Sequence, residues 1–387
     1  MKIKNIICLV LCLIASVFAL ASCEEDIIKE SQDEQNRIEQ IYKPVILEKA
    51  DLKLYIITEG DIGNTTKTVS DKIQQHLKDR KNKKFDTTLE IVYLTAAEYK
   101  ATVDALDTGI VLIDGLAMLD EYVAAGKLAN LSGYFTSDEL IKKYGYATLN
   151  ASYKETNPLL LSVAREDDGS LYFVPNNHVM GTYDYVLIDK NIVNMLNLNV
   201  DELRSTIIDQ TAIDALKAKI QQKIDNNPGK FSVTSADQVV RVVTGEAYED
   251  RFVHEDLGDI CNILNYPEVT RQDVALSGFG VLKNENSTDS YVAASMEIIY
   301  LINSDVKMRN LLLYGVENTH YDMVDGKVVP EDTTFNYKMS LIHTGDIFKA
   351  YFCEDPERDV WTEEMMQNGL LQNKESDPAN QRETVTE

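Results

Sequence analysis

The chain has 387 residues, and its 63 acidic residues outnumber the 38 basic ones, which gives a formal charge of −25. This length allows two domains of ordinary size, each with its own hydrophobic core. The strong negative charge argues against nucleic acid and anionic lipid surfaces as binding partners.

The N-terminus carries the most informative segment. Lys2 and Lys4 precede an apolar stretch over 6–21 that has secretory length and is short for a membrane span. Small residues then lead directly into Cys23, a pattern that resembles the lipobox of bacterial lipoproteins. The resemblance implies that the signal 1–22 is removed and that Cys23 carries lipid (palmitate in the usual case), at the outer, extracellular face of the cytoplasmic membrane. An ordinary secretory signal, or an uncleaved anchor, is the alternative.

Loss of Lys2 and Lys4 with the signal takes the formal charge from −25 to −27. The polar, acidic stretch 23–49 reads as a lipidated tether, and the polar residues 373–387 as a flexible tail. Cys261 and Cys353 are the only cysteines left for the folded part, and the sequence does not decide between two separate thiols and a disulfide.

From residue 51 on, strand and helix patterns alternate. Short β-rich apolar runs and helical segments follow one another at 52–58, 65–80, 89–94, 95–106, 110–113 and 116–125. Thr95 with Glu98 three residues later forms a capping-box pattern at one helix start. This βαβαβ order predicts a parallel sheet with right-handed crossovers.

Ligands of open α/β sheets bind beyond the carboxyl ends of the strands. That rule selects three loops, 59–65, 94–97 and 114–116. Further along the chain, strands are predicted at 171–175, 183–188 and 274–281, and helices over 201–226 and 289–303.

Five sequence stretches together resemble family 1 extracellular solute-binding proteins of ABC importers. They read IVLIDGLAMLDEYVAAGKLANLSGYF at 110–135, LYFVPNN at 171–177, GTYDYVLID at 181–189, ALSGFGVLK at 275–283 and RNLLLYGVENTHYDMVDGK at 309–327. The last stretch is similar to a motif in a Gram-positive branch associated with sugar uptake. The five occur in the family's order and span nearly the whole mature chain.

The resemblance implies an α/β, two-lobe periplasmic-binding-protein-like fold (type II), with a ligand cleft between hinged lobes. The first lobe would hold 50–178 and about 245–277, and the second 179–244 and about 278–372. Hinge crossings are expected near 176–182 and 277–280, with a third near Ala247.

A sugar site needs carboxylate and amide groups for the hydroxyls, and aromatic rings for the apolar sugar faces. The candidates at strand ends and crossings, with the only tryptophan, are Glu59, Asp61, Asn64, Asp114, Asn176, Asn177, Tyr183, Tyr185 and Trp361. Each has a structural alternative: Glu59 and Asp61 as helix caps, and the two tyrosines and Trp361 as core residues.

The residues Tyr314, Gly315, Glu317, His320 and Tyr321 form the most distinctive motif, and a structural role at a helix end is expected for it. Glu317 and His320 lack neighbours at a known metal-ligand spacing. No catalytic motif for a metalloprotease, serine hydrolase or P-loop enzyme occurs. We therefore predict no catalytic residues, no metal and no cofactor.

The sequence predicts a monomeric, lipid-anchored receptor that captures a small solute, expected to be a sugar or oligosaccharide, and delivers it to an ABC permease. The alternatives are a surface glycan-binding or sensing lipoprotein without its own permease, and a peripheral glycan-acting enzyme. An enzyme of that kind needs only two carboxylates brought together by the fold.

Overall fold

The computed structural model describes residues 47–144, 147–204, 209–331 and 336–381. Its contacts divide the chain into Met1–Glu48 and Lys49–Glu387, and the second unit holds all the sheets and cores discussed below. The predicted signal, the lipidation site Cys23 and most of the tether lie outside the described residues.

Strand and helix alternate over the first part of the unit, as the apolar periodicity predicts. The strands are β1 Glu48–Ile57, β2 Phe85–Leu94, β3 Gly109–Ile113, β4 Phe173–Pro175, β5 Tyr183–Asp189, β6 Val240–Glu246, β7 Asp259–Asn265, β8 Gly278–Leu282, β9 Tyr321–Val324, β10 Lys327–Pro330 and β11 Phe352–Cys353. The helices of the first half are α1 Asn64–Asp79, α2 Ala96–Asp104, α3 Leu116–Ala124, α4 Gly133–Thr136, α5 Asp138–Tyr144, α6 Ala147–Thr156 and α7 Leu160–Val163. Those of the second half are α8 Lys190–Met195, α9 Val200–Leu203, α10 Gln210–Asp225, α11 Asp250–Asp256, α12 Arg271–Val274, α13 Asp289–Ser304, α14 Val306–Tyr314 and α15 Glu363–Glu375.

The main sheet has five strands in the order β2-β1-β3-β8-β4. β1 and β3 are parallel, whereas β8 runs antiparallel to both β3 and β4. Every residue of β3 and β8 is buried, because helices cover both faces of the sheet. The predicted α/β class is confirmed, and the predicted capping box of Thr95 and Glu98 opens α2.

A second, separate sheet has three antiparallel strands in the order β6-β5-β7. Val186 and Ile188 of the central strand face a small apolar core that includes Ile213 and Ile220 of α10. Tyr183 and Tyr185 face the opposite side, as the period-2 alternation of a strand requires. Because this sheet has cores of its own, we call its part of the chain the small lobe and the rest of the unit the large lobe.

The strand pairings differ from the predicted lobe boundaries in two places. Residues 259–265 were expected in the first lobe, yet as β7 they pair with β5 in the small sheet. Residues from about 278 to 372 were expected in the second lobe, yet β8 lies between β3 and β4 in the main sheet, and the buried side chains from Phe279 to Trp361 belong to the core of the large lobe. Both errors have the same cause: apolar β-rich runs indicate strands, but only tertiary contacts decide which sheet receives them.

The crossings between the sheets differ accordingly. The segment 176–182 joins β4 to β5 and is a crossing as predicted, whereas 277–280 lies inside the large lobe and Ala247 inside the small one. The return crossing follows β7, where a Cβ on Gly181 would stand 2.9 Å from the Cβ of Pro267. The two crossings therefore pass within contact distance of each other.

Helix α15 contacts both the first crossing and the small lobe. Gln372 donates to the carbonyl of Gly181 at 2.6 Å and accepts from the backbone N of Tyr248 at 3.1 Å. Asn373 accepts from the backbone N of Met180 at 2.9 Å and is completely buried. The flexible tail predicted from residue 373 therefore begins too early, since the helix continues to Glu375.

Smaller features complete the fold. β9 and β10 form a hairpin through Asp325 and Gly326, which both have positive φ as a two-residue turn of this kind requires. Cys261 and Cys353 are free thiols. No helix among the described residues is long and apolar enough to span a bilayer.

Candidate functional site

The carboxyl ends of β1, β2 and β3 lie side by side at one edge of the main sheet. The backbone N of Thr58 donates to the carbonyl of Leu94 at 2.9 Å, which joins the end of β1 to the end of β2. The β1–β3 register pairs Leu54 with Ile110, and its continuation places Asp114 beside Thr58. The three loops selected by the strand-end rule therefore open from one edge.

A segment from the other end of the chain lies across this edge. The backbone N of Glu59 and of Gly60 donate to the carbonyl of Lys338 at 3.0 and 3.1 Å, and that of Asp61 donates to Asn336 at 2.8 Å. We call residues 336–344 the strap. No sequence pattern predicts the strap, because residues after Gly315 show little periodicity.

The far end of the strap is fixed to β4 and β8. The carbonyl of Ile342 accepts from Nδ2 of Asn176 at 2.9 Å and from Oγ of Ser277 at 2.8 Å. The strap thus spans the edge from the end of β1 to the end of β4.

Two side-chain pairs, one with a lysine and one with a histidine, join the strap to the strand-end loops. Nζ of Lys338 lies 3.3 Å from Oε2 of Glu59, and Nε2 of His343 lies 3.5 Å from Oδ1 of Asp114. The carboxylates are about half exposed, at 49% for Glu59 and 46% for Asp114. The hydrogen bond from His343 lowers the pKa of Asp114 below its ordinary value, so this carboxylate is ionised at neutral pH.

An open groove of about 690 Å³ lies beside the first of these pairs. Asp61 and the strap residues Asn336 and Lys338 line one part, and Arg358 lines another. The groove and the two side-chain pairs together present accessible acceptors and donors to a polar solute, which is what recognition of hydroxyl groups requires.

Of the predicted site residues, Glu59, Asp61, Asn64 and Asp114 are exposed around this edge. Asn176 and Asn177 are completely buried. Nδ2 of Asn177 donates to Oγ1 of Thr156 at 2.5 Å, and its carbonyl accepts from the backbone N of Ile347 at 2.9 Å. These two amides hold the strap and the crossing in place and present no atom to a ligand in this structure.

The predicted tyrosines are also buried. The rings of Tyr183 and Tyr185 stack with centroids 5.4 Å apart, and both are almost fully enclosed. The hydroxyl of Tyr183 donates to Glu375 at 2.5 Å, which ties β5 to α15. Burial raises the pKa of both phenols well above its ordinary value, so they act as neutral core groups.

Trp361 is 2% exposed and packs edge-on against Phe348, with ring centroids 5.8 Å apart. Its ring faces are closed to a ligand in this structure. In this structure Trp361, Tyr183 and Tyr185 are therefore core residues, which is the structural alternative given for them above.

The motif around Tyr314 has the structural role expected for it. Gly315 ends α14 with a φ of 86°. His320 Nδ1 accepts from the backbone N of Val316 at 2.9 Å, and burial lowers the pKa of this imidazole. Tyr314 donates to the carbonyl of Tyr351 at 2.8 Å.

Arg309, at the start of the same sequence stretch, is completely buried and holds the strap. Its guanidinium donates to the carbonyls of Asp346 at 3.0 Å and Leu341 at 2.6 Å, and to Oγ1 of Thr344 at 2.5 Å. Sequence reasoning missed this role, and it missed Lys338 and His343 as members of the site.

Metal binding has no support in the part of the chain that is described, where no three His, Cys, Asp or Glu side chains are grouped to hold an ion. The chemistry available at the strand-end edge is hydrogen bonding and ion pairing.

No family model and no curated protein matches the chain. Among solved structures, it is similar to the N-glycan transport solute binding protein (NgtS) from Streptococcus pneumoniae, with a TM-score of 0.48, 15% identity, and coverage of 84% of this chain and 82% of that one. It is also similar to an extracellular solute-binding protein from Bifidobacterium longum subsp. infantis (TM-score 0.41, 11% identity, coverage 86% and 82%). A third is the ABC substrate-binding protein Lmo0181 from Listeria monocytogenes in complex with cycloalternan (TM-score 0.29, 11% identity, coverage 87% and 86%).

Proposed function

We propose that this protein is a solute receptor that binds a sugar or oligosaccharide at the strand-end edge of its main sheet. One observation carries the proposal. The carboxylates of Glu59 and Asp114 are half exposed at this edge and pair with Lys338 and His343 of the strap. The amides of Asn176 and Asn177, in contrast, are buried.

The chemistry of these groups suits a carbohydrate. Each sugar hydroxyl can donate one hydrogen bond and accept others, so it needs acceptors and donors side by side. Glu59 and Asp114 supply acceptors, and Lys338 and His343 supply donors. The resemblance of the 309–327 stretch to a motif associated with sugar uptake supports the same class of ligand.

Capture would proceed by lobe closure. Within the described residues the chain passes between the two sheets near 176–182 and after β7, and α15 contacts the first of these crossings. A few residues at such crossings can absorb a hinge motion. Ligand would favour the closed state by as much as it binds that state more tightly, and an ABC permease would receive the closed receptor.

We further propose that Cys23 carries lipid and tethers the protein to the outer face of the cytoplasmic membrane. The lipobox resemblance of 20–23 supports this anchor. In cells fed a clickable palmitate analogue, the protein should be labelled, and a Cys23→Ser variant should not be. Equal labelling of both would exclude Cys23 as the lipid site.

The binding proposal is tested by a thermal-shift screen of the purified protein against mono- and oligosaccharides, amino acids, short peptides and polyamines. A ligand at a hundredfold its dissociation constant stabilises the folded state by about 2.7 kcal/mol. A saturable shift with one sugar class is expected. A shift with only a peptide or polyamine would overturn the carbohydrate assignment.

Variants then locate the site. Glu59→Gln and Asp114→Asn remove one carboxylate each and should weaken affinity for that sugar about 10-fold, which corresponds to about 1.4 kcal/mol. Glu90→Gln is the matched control, because Glu90 forms an equally exposed ion pair with Lys53 outside the strand-end loops. Unchanged affinity in both site variants would place the ligand elsewhere.

As a receptor, the protein should bind its ligand reversibly and leave it intact. Incubation of stoichiometric protein with the identified sugar, followed by chromatography, checks this expectation. Catalytic turnover of a glycan would favour the enzyme alternative instead.

A further inference from the structure

A second groove lies within the helical segment between β3 and β4. Its volume is about 180 Å³, and all of its lining residues come from 135–165. None of them belongs to the strand-end edge or the strap. Six of them carry the argument that follows: Phe135, Tyr153, Lys154, Asn157, Ser162 and Arg165.

Asn157 is the unusual member of this lining. It is 1% exposed, and neither its Nδ2 nor its Oδ1 has a hydrogen-bond partner among the described residues. Its backbone groups are occupied, since its N donates to the carbonyl of Tyr153 at 2.6 Å. A buried side-chain amide with both polar atoms unpaired is rare and destabilises the folded state. A ligand that offers a hydroxyl in the groove would satisfy both its donor and its acceptor.

Two cations line the same groove. Lys154 and Arg165 have no carboxylate within ion-pair distance among the described residues, although the chain holds 63 acidic residues against 38 basic ones. Nη1 of Arg165 donates to the carbonyl of Gly169 at 2.7 Å, which orients the guanidinium without neutralising it. In so acidic a protein, two unneutralised cations beside one groove favour an anionic ligand.

The remaining lining is apolar or neutral. Phe135 and Tyr153 are 7% and 1% exposed, so they form the closed apolar floor of the groove, and the hydroxyl of Tyr153 is already committed to the carbonyl of Pro175 at 2.9 Å. Ser162 adds an exposed hydroxyl at the groove, which donates to the carbonyl of Leu159 at 2.7 Å. Its oxygen can still accept a hydrogen bond from a ligand.

We propose that this groove is a second binding site, for a small hydroxycarboxylate such as a uronic acid. Its carboxylate meets Lys154 and Arg165, and a hydroxyl pairs with Asn157. The site is separate from the one proposed at the strand-end edge and does not depend on it.

Isothermal titration of the full-length protein with D-glucuronate tests the site, with D-glucose and the methyl ester of D-glucuronate as neutral counterparts. Glucuronate should bind, and the two neutral compounds should bind at least 10-fold more weakly. Arg165→Gln should weaken glucuronate binding at least 10-fold. Lys72→Gln, which removes an exposed lysine on α1, and Asp114→Asn at the strand-end edge should leave it unchanged.

Asn157→Leu supplies an independent readout. It replaces an unpaired amide by an apolar group of similar size, so the melting temperature should rise while glucuronate binding is lost. If the variant does not fold, Arg165→Gln still decides the matter.

Four results would overturn the proposal. The first is that glucuronate does not bind at millimolar concentration, and the second is that it binds Arg165→Gln as tightly as the parent protein. Loss of glucuronate binding in Asp114→Asn alone would assign the ligand to the strand-end edge. A lowered melting temperature in Asn157→Leu, with glucuronate binding intact, would show that the amide has an internal partner.

Discussion

Asn176 and Ser277, which are 101 residues apart in the chain, are joined side by side and share one acceptor. Nδ2 of Asn176 donates to Oγ of Ser277 at 3.0 Å, and both side chains donate to the carbonyl of Ile342. The backbone N of Asn176 also donates to the carbonyl of Ser277 at 2.9 Å. The ends of β4 and β8 are therefore fixed to the strap by one buried polar group of three residues.

Asn176→Ala should destabilise the protein by about 2 kcal/mol, because it removes two buried hydrogen bonds and leaves a small cavity. Urea unfolding of the variant and the parent protein measures the difference. Asn194→Ala, at an exposed position of α8, should change stability by no more than about 0.5 kcal/mol. Equal effects of the two substitutions would show that the Asn176 amide does not stabilise the junction.

Arg309→Lys should cost about 3 kcal/mol of stability. The guanidinium reaches three acceptors in different directions, whereas an ammonium group on a shorter stem cannot reach all of them and leaves a buried charge poorly paired. Burial lowers the pKa of Arg309 to about 10, which still leaves it charged at neutral pH.

The matched control is Arg204→Lys. Arg204 is exposed and its nearest carboxylate, Glu255, lies 3.6 Å away, so the change should stay within about 0.5 kcal/mol. Denaturant unfolding of both variants compares a buried and a surface arginine directly. A loss at Arg309 no larger than the control would mean that the strap is held by other contacts.

Asp346 should make stability fall as the pH rises from about 4 to about 6. Burial raises the pKa of this carboxyl to about 6, above the value of about 3.9 for an unfolded aspartate. Between these values the native state binds more protons than the unfolded state, so stability decreases with pH and then levels off. The difference in pKa corresponds to about 3 kcal/mol.

Asp346→Asn removes the titrating group, and the groups nearest to it, Arg309, Lys349, Asn177 and Tyr153, remain. Unfolding free energies measured from pH 4 to pH 7 should therefore show a smaller decrease in the variant. Exposed Asp256→Asn should keep the decrease of the parent protein. Parallel curves for the parent protein and Asp346→Asn would show that Asp346 does not titrate in this range.

The first half of the main sheet could be predicted from the sequence, because β1 to β3 and α1 to α3 have clear apolar periodicity and helix-start signals. The three-stranded sheet β6-β5-β7 could not be predicted in this way. Its strands are separated by long helical segments, and neither β7 nor β8 carries a local signal that tells which sheet it joins. The β9–β10 hairpin did have a signal, the Asp325-Gly326 pair, which sequence reasoning did not use.

The residues at the strand-end edge were likewise only partly predictable from the sequence. Glu59, Asp61 and Asp114 follow from the strand-end rule, since the ends of neighbouring parallel strands share one edge. Lys338 and His343 reach that edge because hydrogen bonds from the 59–61 backbone, from Arg309 and from the Asn176–Ser277 pair hold the strap there. Such long-range hydrogen bonds leave no periodic trace in the sequence. Tyr183, Tyr185 and Trp361 show the reverse error, because residue type alone does not separate a core ring from a ligand-stacking one.

Gly60→Ala should loosen the strap. A Cβ at this position would overlap the carbonyl oxygen of Asn336 and stand 2.5 Å from the backbone N of Lys338, so the strap must shift. We expect a loss of about 2 kcal/mol in stability, as overpacking usually causes. Hydrogen exchange should also quicken at the amides of Glu59 and Asp61, which donate to strap carbonyls.

Gly133→Ala is the control for that experiment. The nearest atom to its added Cβ is the flexible end of the Leu140 side chain, at 3.0 Å, and alanine suits the helical position. This variant should change stability by no more than about 0.5 kcal/mol and leave exchange at Glu59 and Asp61 unaltered. Unchanged exchange in Gly60→Ala would mean that the strap adjusts without losing its hydrogen bonds. In that case, close packing at Gly60 does not position Lys338 over the strand ends.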